Sequence, residues 1–314
     1  MQNSAESCFH TRAVAAPDHI LVATDLTDSE YLTPHVIAQA EASKAHVTLF
    51  HAILPTEAMP LEAGAIPYVD EAKLDRDARL MLLGMAQEIQ AHGIPCAVSV
   101  QRGYAADAIC AEIRRSGATW LIMATHGRRK LAQMALGSVA NELLTYVEIP
   151  IFVVGPAAQG RPEHTAPRNI LHPVSLEGDY LKSLHLAFDL AQIYRADLTL
   201  LHVLDVNPAR TVTWAENSLA ALIPPGMDLG FAVHTRLASG NVVEEVLNAA
   251  AETGADWIVL GVDGAFPFWT FRDTTAYKVL SGAACPVLTV RHEPRAGETA
   301  AARAEDRSIA GILA

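Results

Sequence analysis

The sequence predicts an α/β protein built from two tandem open five-stranded parallel sheets, each with helices on both faces. Short runs rich in aliphatic and β-branched residues alternate with segments of helical periodicity along 314 residues. The strand-like runs are apolar throughout, which is typical of strands that are buried on both faces of a parallel sheet. The same order of segments occurs twice, and the length of the chain suits two ordinary domains.

An internal repeat supports the two-domain prediction. Four segments of the first half match four of the second half in the same order, which indicates a duplicated domain rather than a solenoid of short repeats. The matching pairs are Ile20–Leu26 with Ile170–Leu176, Val47–Ile53 with Leu198–Leu204, Gly117–Gly127 with Gly254–Gly264, and Ile149–Val154 with Cys285–Val290. The predicted organisation is a tail (1–18), domain 1 (19–155), a linker (156–167), domain 2 (168–292) and a second tail (293–314).

The elements of domain 1 follow from the residue pattern in chain order. Strands are predicted at 20–24, 47–53, 96–100, 120–123 and 150–154. One clear helix covers 68–92 and ends before Gly93 and Pro95, and another covers 105–116 and ends at Gly117. The apolar face predicted for the first of these helices consists of Leu74, Ala78, Met81, Leu82, Met85 and Ile89. Domain 2 is shorter between its second and third strands, where a Pro-Pro-Gly run at 224–226 interrupts the helical pattern.

Composition and charge narrow the classes of function. The net charge of −12 argues against nucleic acid as a partner, because phosphate backbones require clustered Lys and Arg. The longest apolar runs are too short to span a bilayer, and the first residues lack a basic segment followed by an apolar one. We therefore expect a soluble cytoplasmic protein. The four cysteines have no metal-like spacing, and three of them (Cys96, Cys110 and Cys285) are expected to be buried small apolar residues.

The loop from Gly127 to Ser138 is the strongest functional signal. It follows the apolar run Trp120–Met123, and Gly137 and Ser138 then open a helical pattern. A helix start presents free backbone N–H groups and a partial positive charge, and glycine lets a phosphate approach the backbone. The pattern favours a nucleotide phosphate site, while the plainer alternative is a glycine turn followed by a serine-capped helix.

Each copy resembles a universal stress protein domain. The signature of that family is Gly-x2-Gly-x9-Gly-Ser/Thr after the fourth strand, together with an Asp at the end of the first strand. Domain 1 has Ala124-x2-Gly127-x9-Gly137-Ser138 and Asp25, so only the first glycine departs from the signature. The resemblance implies five-stranded parallel sheets. In its ATP-binding members it also implies a nucleotide at the carboxyl ends of the strands, where ligands of open α/β sheets generally lie.

The resemblance also implies roles for the residues that face the nucleoside. Asp25 would hydrogen-bond the ribose or adjoining groups, and its alternative role is that of a turn residue. The backbone around Ala52 would meet the adenine edge, and Met123 and Ala124 would lie against the base or the ribose. If position 124 requires a positive φ, alanine costs about 1 kcal/mol there.

The phosphates would be bound by the glycine signature. Backbone or hydroxyl groups of Gly127, Gly137, Ser138 and Val139 would contact them. Arg128 and the two basic residues that follow it would either reach the triphosphate tail or form a solvated loop, and the sequence leaves this choice open. A Mg²⁺ ion accompanying the phosphates is likewise left open.

Domain 2 carries a degenerate version of the same site. Ser175 replaces the aspartate, and Thr274 replaces the glycine at the helix start, where a β-branched side chain would crowd a phosphate. We therefore expect no ATP in domain 2. The aromatic residues of its loop either fill the vacated site or form a partner surface, and they are Phe266, Phe268, Trp269 and Phe271. The equivalent residues His51 and His202 are interpreted as core or turn histidines, so no metal site is predicted.

These observations lead to one functional hypothesis and two alternatives. The main hypothesis is a tandem universal stress protein that binds one ATP per chain in domain 1. It would act as a nucleotide-responsive stress-adaptation or regulatory protein with at most slow ATP hydrolysis and no identifiable catalytic residue. The alternatives are a nucleotide-independent interaction protein and, less favoured, an ATP-cleaving or adenylyl-transferring enzyme. The resemblance also implies pairing of the last strands, which in this family often pair across a domain dimer. Here Pro150–Val154 and Pro286–Val290 would pair as an intramolecular pseudo-dimer and cover edges that would otherwise be exposed. An unidentified protein partner and a homodimer remain open.

Overall fold

Strands and helices alternate through both halves of the chain. The computed structural model describes residues 16–55, 70–125, 137–158, 166–176, 180–204, 212–224, 229–263 and 274–292. Domain 1 contains β1 (His19–Ala23), α1 (Ser29–Ser43), β2 (His46–Ile53), α2 (Glu71–Ala91), β3 (Cys96–Arg102), α3 (Ala105–Ser116), β4 (Trp120–Ala124), α4 (Ser138–Tyr146) and β5 (Ile151–Val154). Domain 2 contains β6 (Asn169–Pro173), α5 (Leu181–Tyr194), β7 (Asp197–Leu204), α6 (Val212–Ala220), β8 (Val233–Ser239), α7 (Val242–Thr253), β9 (Trp257–Asp263), α8 (Thr275–Gly282) and β10 (Val287–His292).

The ten strands form one continuous sheet in the order β3-β2-β1-β4-β5-β10-β9-β6-β7-β8. Within each half all neighbours are parallel, and the order of the second half repeats that of the first. The halves meet where β5 and β10 pair antiparallel, with Phe152 opposite Leu288. The predicted α/β fold and the predicted pairing of the last strands are confirmed, and the two five-stranded sheets are joined edge to edge.

The apolar core is continuous across this junction on both faces of the sheet. On one face, Trp120 of β4, Phe152 of β5 and Trp257 of β9 pack together, with ring centroids 5.4 Å apart for Phe152 and Trp257 and 6.3 Å apart for Trp120 and Phe152. Tyr194 of α5 packs edge-on against Trp257 at 5.2 Å. Aromatic burial of this kind contributes strongly to stability, so each half supports the core of the other.

Two sequence-based expectations need correction. Helix α2 buries Ala78, Leu82, Met85, Ala86 and Ile89, whereas Leu74 and Met81 are exposed. The buried face of α2 is narrow, and Met81 lies beside this face rather than on it. Leu74 lies in the first turn of the helix. The three described cysteines are half-buried rather than buried. Helix α6 is short, with nine residues, as the Pro-Pro-Gly interruption predicted.

No helix in the described part of the chain is both long and apolar enough to cross a membrane. The aromatic loop at 266–271 and most of the loop between β4 and α4 lie outside the described residues.

A fully buried histidine distinguishes the core of domain 2. The side chain of His172 has no exposed area, and its Nδ1–H donates to the carbonyl of Val259 at 2.8 Å. Its Nε2 atom is buried without a hydrogen-bond partner among the described residues. Burial, reinforced by the nearby His292, lowers the pKa of His172 from 6.5 to about 4. The matching residue of domain 1 is Val22.

His172→Val should therefore make the protein less sensitive to acid. The unfolded chain binds a proton at His172 below pH 6.5, whereas the folded chain does so only below about pH 4, so stability falls as the pH drops through this window. Between pH 7 and pH 4.5 the free energy of unfolding of the wild type should fall by about 2–3 kcal/mol more than that of the variant. Urea denaturation at the two pH values measures this difference. His234→Val, at an exposed position of β8, is the control, and an equal pH response of wild type and His172→Val would contradict the prediction.

Candidate functional site

A cavity of about 240 Å³ lies at the carboxyl ends of β1, β2 and β4, next to the first turns of α3 and α4. The order β2-β1-β4 reverses the direction of the chain connections at β1, and open α/β sheets bind ligands at such a switch point. The strand ends contribute Ala23, Thr24, Asp25, Asp28, Phe50, His51, Ala52, Met123, Ala124 and Thr125, and the helix starts contribute Ala105, Ile109, Gly137, Ser138, Val139 and Ala140.

The cavity brings together seven of the nine residues predicted from the sequence. These are Asp25, Ala52, Met123, Ala124, Gly137, Ser138 and Val139. The other two, Gly127 and Arg128, lie outside the described residues. Ala124 does not have a positive φ, so alanine in place of the family's glycine is unstrained there.

The turn between β1 and α1 forms one wall of the cavity. One oxygen of Asp25, Oδ1, accepts hydrogen bonds from the backbone N–H of Thr27 at 2.9 Å and from its hydroxyl at 2.7 Å. The other oxygen, Oδ2, is buried and has no hydrogen-bond partner among the described residues. Buried polar atoms in folded proteins are nearly always paired, so this oxygen is available to a donor on a ligand.

A second carboxylate, Asp28, lies in the same wall and is only 3% exposed. Burial raises the pKa of its carboxyl group to about 6, against the hydrogen bond donated by Thr24, and the nearby negative charge of Asp25 adds to the rise. Leu26, between the two carboxylates, has a left-handed φ of 74°, and its N–H donates to the Thr24 hydroxyl at 2.9 Å. The turn therefore holds two carboxylates in fixed positions at the end of β1.

The opposite wall is the uncapped start of α4. Gly137 is the N-cap residue with extended backbone, and no side chain caps the helix. The first intrahelical bond is donated by Asn141 to Gly137, so the N–H groups of Ser138, Val139 and Ala140 have no intrahelical acceptor. Such N–H groups bind anionic oxygens well. A Cβ atom at position 137 would lie 3.2 Å from the carbonyl oxygen of Thr125, so glycine allows this close approach.

Helix α3 also begins at the cavity without a side-chain cap. Its N-cap is Tyr104, which has extended backbone and accepts no hydrogen bond through its side chain, and Ala105 lines the cavity. Two helix starts with free N–H groups thus face the same space.

The corresponding helix starts of domain 2 are both capped. Thr274 accepts a hydrogen bond from the N–H of Tyr277 at 3.2 Å at the start of α8. Asn241 accepts from Val243 at 3.0 Å and from Glu244 at 3.3 Å at the start of α7. Each cap of domain 2 therefore occupies part of the N–H groups at its helix start, namely that of Tyr277 in α8 and those of Val243 and Glu244 in α7.

In domain 2, side chains of the protein itself fill the space next to Gly261, one of the two signature glycines that this copy retains. A Cβ atom at Gly261, the counterpart of Ala124, would lie 2.0 Å from Nε2 of His292 and 3.0 Å from Oγ of Ser183. The His292 ring is buried. Glycine at 261 thus accommodates a side chain of the protein itself.

The two equivalent histidines have the turn role predicted for them. Nδ1–H of His51 donates to the carbonyl of Thr24 at 2.8 Å, and Nδ1–H of His202 donates to the carbonyl of Val174 at 3.0 Å. Each fixes the end of the first strand of its half. The described residues contain no group of three or more His, Cys, Asp or Glu side chains arranged to hold a metal ion.

The sequence profile of the universal stress protein family matches the chain twice, at residues 17–155 and 167–291. The chain belongs to the universal stress protein family. No curated protein sequence matches it.

Solved structures of similar fold include a universal stress protein from Archaeoglobus fulgidus DSM 4304, with 18% identity, 89% of this chain and 98% of that chain covered, and a TM-score of 0.70. A protein of unknown function from Pseudomonas aeruginosa PAO1 has 17% identity, covers 94% and 99% of the two chains, and has a TM-score of 0.61. A universal stress protein in complex with cAMP has 18% identity over 44% of this chain and 96% of that chain, with a TM-score of 0.33. The first two structures, at these identities, are similar to this chain in fold.

Sequence reasoning missed several residues of this universal stress protein's cavity. Asp28 lies three residues after Asp25, and a second carboxylate so close to the end of the first strand was the available signal. The start of α3, at Ala105 and Ile109, carried no signal because apolar residues at a helix start do not distinguish a cavity wall from core.

Gly261→Ala should destabilise the protein by about 2–3 kcal/mol, because the added methyl group would overlap the His292 ring. In a His292→Ala background the same substitution should cost less than about half as much, since the overlapping ring is gone. Chemical denaturation of the four proteins of this double-mutant cycle measures the coupling. Gly84→Ala, in an exposed turn of α2 with open space around it, is the control and should stabilise the protein by about 0.5–1 kcal/mol. Equal costs of Gly261→Ala in both backgrounds would contradict this packing.

Proposed function

We propose that this universal stress protein binds one adenine nucleotide per chain, ATP, in domain 1, and that domain 2 binds none. One observation carries the proposal: among the described residues, the same cavity contains helix N–H groups without a side-chain cap and a buried carboxylate oxygen without a hydrogen-bond partner. Free N–H groups suit phosphate, and an unpaired carboxylate oxygen suits a sugar hydroxyl. Domain 2 has Ser175 in place of the aspartate, and at its helix starts Thr274 and Asn241 accept hydrogen bonds from part of the N–H groups.

The walls of the cavity suggest how the nucleotide lies. Its phosphates would bind the N–H groups at Ser138 and Val139, and its ribose would donate to Oδ2 of Asp25. The base would then lie against Met123 and the backbone at Ala52, where the walls are apolar. Mg²⁺ would enter with the phosphates as part of the ligand.

The proposed role is that of a nucleotide-responsive stress-adaptation or regulatory protein of the cytoplasm, with at most slow hydrolysis of ATP. The described groups of the cavity are arranged to bind: the Asp25 carboxylate accepts from the turn on one side, and His51 is bonded to the Thr24 carbonyl. These hydrogen bonds hold the Asp25 and His51 side chains in fixed positions, which favours stable binding of ATP over its rapid hydrolysis.

A second candidate function is that of an interaction protein that does not require nucleotide. It is favoured by apolar side chains on the outer surface of α2, where Leu80 is 67% exposed, Met81 53% and Leu83 49%. Exposed apolar residues that cluster on one helix are typical of surfaces that bind another protein. This function predicts partner binding that is unaffected by loss of the nucleotide site.

Gly137→Thr, which introduces the residue found in domain 2, should weaken ATP binding by about 10- to 100-fold. The threonine hydroxyl would accept the N–H of Ala140, as Thr274 does for Tyr277, and its side chain would crowd the Thr125 carbonyl. Isothermal titration of the full chain, stripped of nucleotide, measures the affinity.

The matched control for this experiment is Gly84→Thr in the exposed middle of α2, which should bind ATP as the wild type does. Wild-type affinity in Gly137→Thr would overturn the assignment of the phosphates to the start of α4. Absence of binding in the wild type at millimolar ATP would favour the nucleotide-independent function.

A further inference from the structure

We propose that Asp28 takes up a proton when a polyanionic nucleotide binds in domain 1, so that the affinity of this site rises as the pH falls. The inference rests on the proposed nucleotide-binding function and describes its regulation. The proton comes from the solvent and is returned when the nucleotide leaves.

Asp28 lies in the wall of the cavity, in a place where added negative charge would raise its affinity for a proton. Its carboxyl group lines the cavity, is 97% removed from solvent, and has the Thr24 hydroxyl as a donor among the described residues. A carboxylate in such a place is poorly solvated and is sensitive to any additional negative charge.

The proposed ligand carries several negative charges on its phosphates. A nucleotide with its phosphates at the start of α4 would bring several negative charges into a cavity whose other wall already holds two carboxyl groups. Like charges a few ångströms apart in a partly buried site repel strongly. Protonation of one carboxyl group removes part of this repulsion.

Asp28 is the member of the pair that is expected to accept the proton. Asp28 is the more deeply buried of the two, with 3% of its surface exposed, whereas Asp25 is partly exposed. Burial disfavours the charged form of a carboxyl group, so additional negative charge in the cavity is expected to act first on Asp28. In the proposed arrangement Asp25 accepts from the ribose through Oδ2, and Asp28 carries the proton.

Besides Asp25, two titratable groups face Asp28 in the described part of the chain, and of these His51 is the one that could also take up a proton. Tyr31 of α1 remains neutral, because burial together with the charges of Asp28 and Asp25 raises the pKa of its hydroxyl. His51 of β2 has its Nδ1–H bonded to the Thr24 carbonyl. No lysine or arginine among the described residues lines the cavity.

The direction of the pH effect follows from the state of free Asp28. Its pKa of about 6 means that in the free protein it is charged above pH 6 and mostly neutral below. Above pH 6 binding requires uptake of a proton and weakens as the pH rises, whereas below pH 6 the proton is already present and the dependence levels off. If Asp28 stays protonated in the complex, the dissociation constant rises by up to about 50-fold between pH 6 and pH 8.

The test compares the wild type with Asp28→Asn, a near-isosteric neutral variant, in titrations of the full chain with ATP at pH 6, 7 and 8. The ratio of the two dissociation constants cancels the titration of the phosphates themselves. The ratio should rise by about 10- to 50-fold from pH 6 to pH 8, with the variant binding more tightly at pH 8. Titration of the wild type at pH 7.5 in buffers of different ionisation enthalpy should in addition give uptake of close to one proton per ATP.

The outcomes separate this inference from the proposed function. ATP binding with a pH-independent ratio, or without proton uptake by the wild type, would overturn the role of Asp28 and leave the nucleotide site intact. Loss of binding by the wild type at every pH would overturn both. Proton uptake by Asp28→Asn equal to that of the wild type would assign the proton to another group, such as His51, and would likewise overturn the role of Asp28. Should Asp28→Asn fail to fold, Asp28→Ser, which also lacks the carboxyl group, serves for the same comparison.

Discussion

The antiparallel pairing of β5 with β10 is the interaction on which the arrangement of the molecule depends. Each of these strands would otherwise be an open edge of a five-stranded sheet, with unpaired backbone groups. Their pairing joins the two sheets and lets Phe152 and Trp257 complete one aromatic cluster between the halves. Because the pairing is antiparallel, the strands of the two halves run in opposite directions. The carboxyl ends of the β1–β5 strands therefore lie at the end of the sheet where the β6–β10 strands begin. The two copies of the site are therefore separate, and each is built from its own half.

Duplication has preserved the fold of the second copy and changed its chemistry. Helix α4 begins at a glycine, and no side chain among the described residues caps its N–H groups, whereas Thr274 and Asn241 accept from N–H groups in the first turns of α8 and α7. The same backbone position carries Ala124 in one half and Gly261 in the other, and the glycine makes room for His292. A signature residue retained in a sequence can thus have a purely internal packing role. Domain 2 contributes strand β10 to the junction and Trp257 to the shared aromatic core, and the proposed nucleotide site lies in domain 1.

Much of this architecture could be predicted from the sequence, since continuous apolar runs such as Trp120–Met123 indicate buried parallel strands whatever their tertiary surroundings. The resemblance to universal stress proteins, carried by the repeat, the glycine signature and Asp25, implied the pairing of the halves and seven residues of the cavity. Other features depend on contacts between distant segments and could not be predicted. The buried state of Asp28 requires the fold of the turn against β1, and the contact between His292 and Gly261 joins two strands 31 positions apart in the chain (292 − 261). The exposure of Met81 depends on how narrow a stripe of α2 the sheet covers.

Domain 1 is proposed to bind ATP and domain 2 is not. The stoichiometry of ATP binding tests this difference most directly. Calorimetric titration of the full chain with ATP, after removal of bound nucleotide, should give close to one site per chain. Two sites of similar affinity would contradict the proposal that domain 2 binds no nucleotide. Absence of any site at millimolar ATP would contradict the proposal that the free N–H groups of α4 and the unpaired oxygen of Asp25 bind a nucleotide.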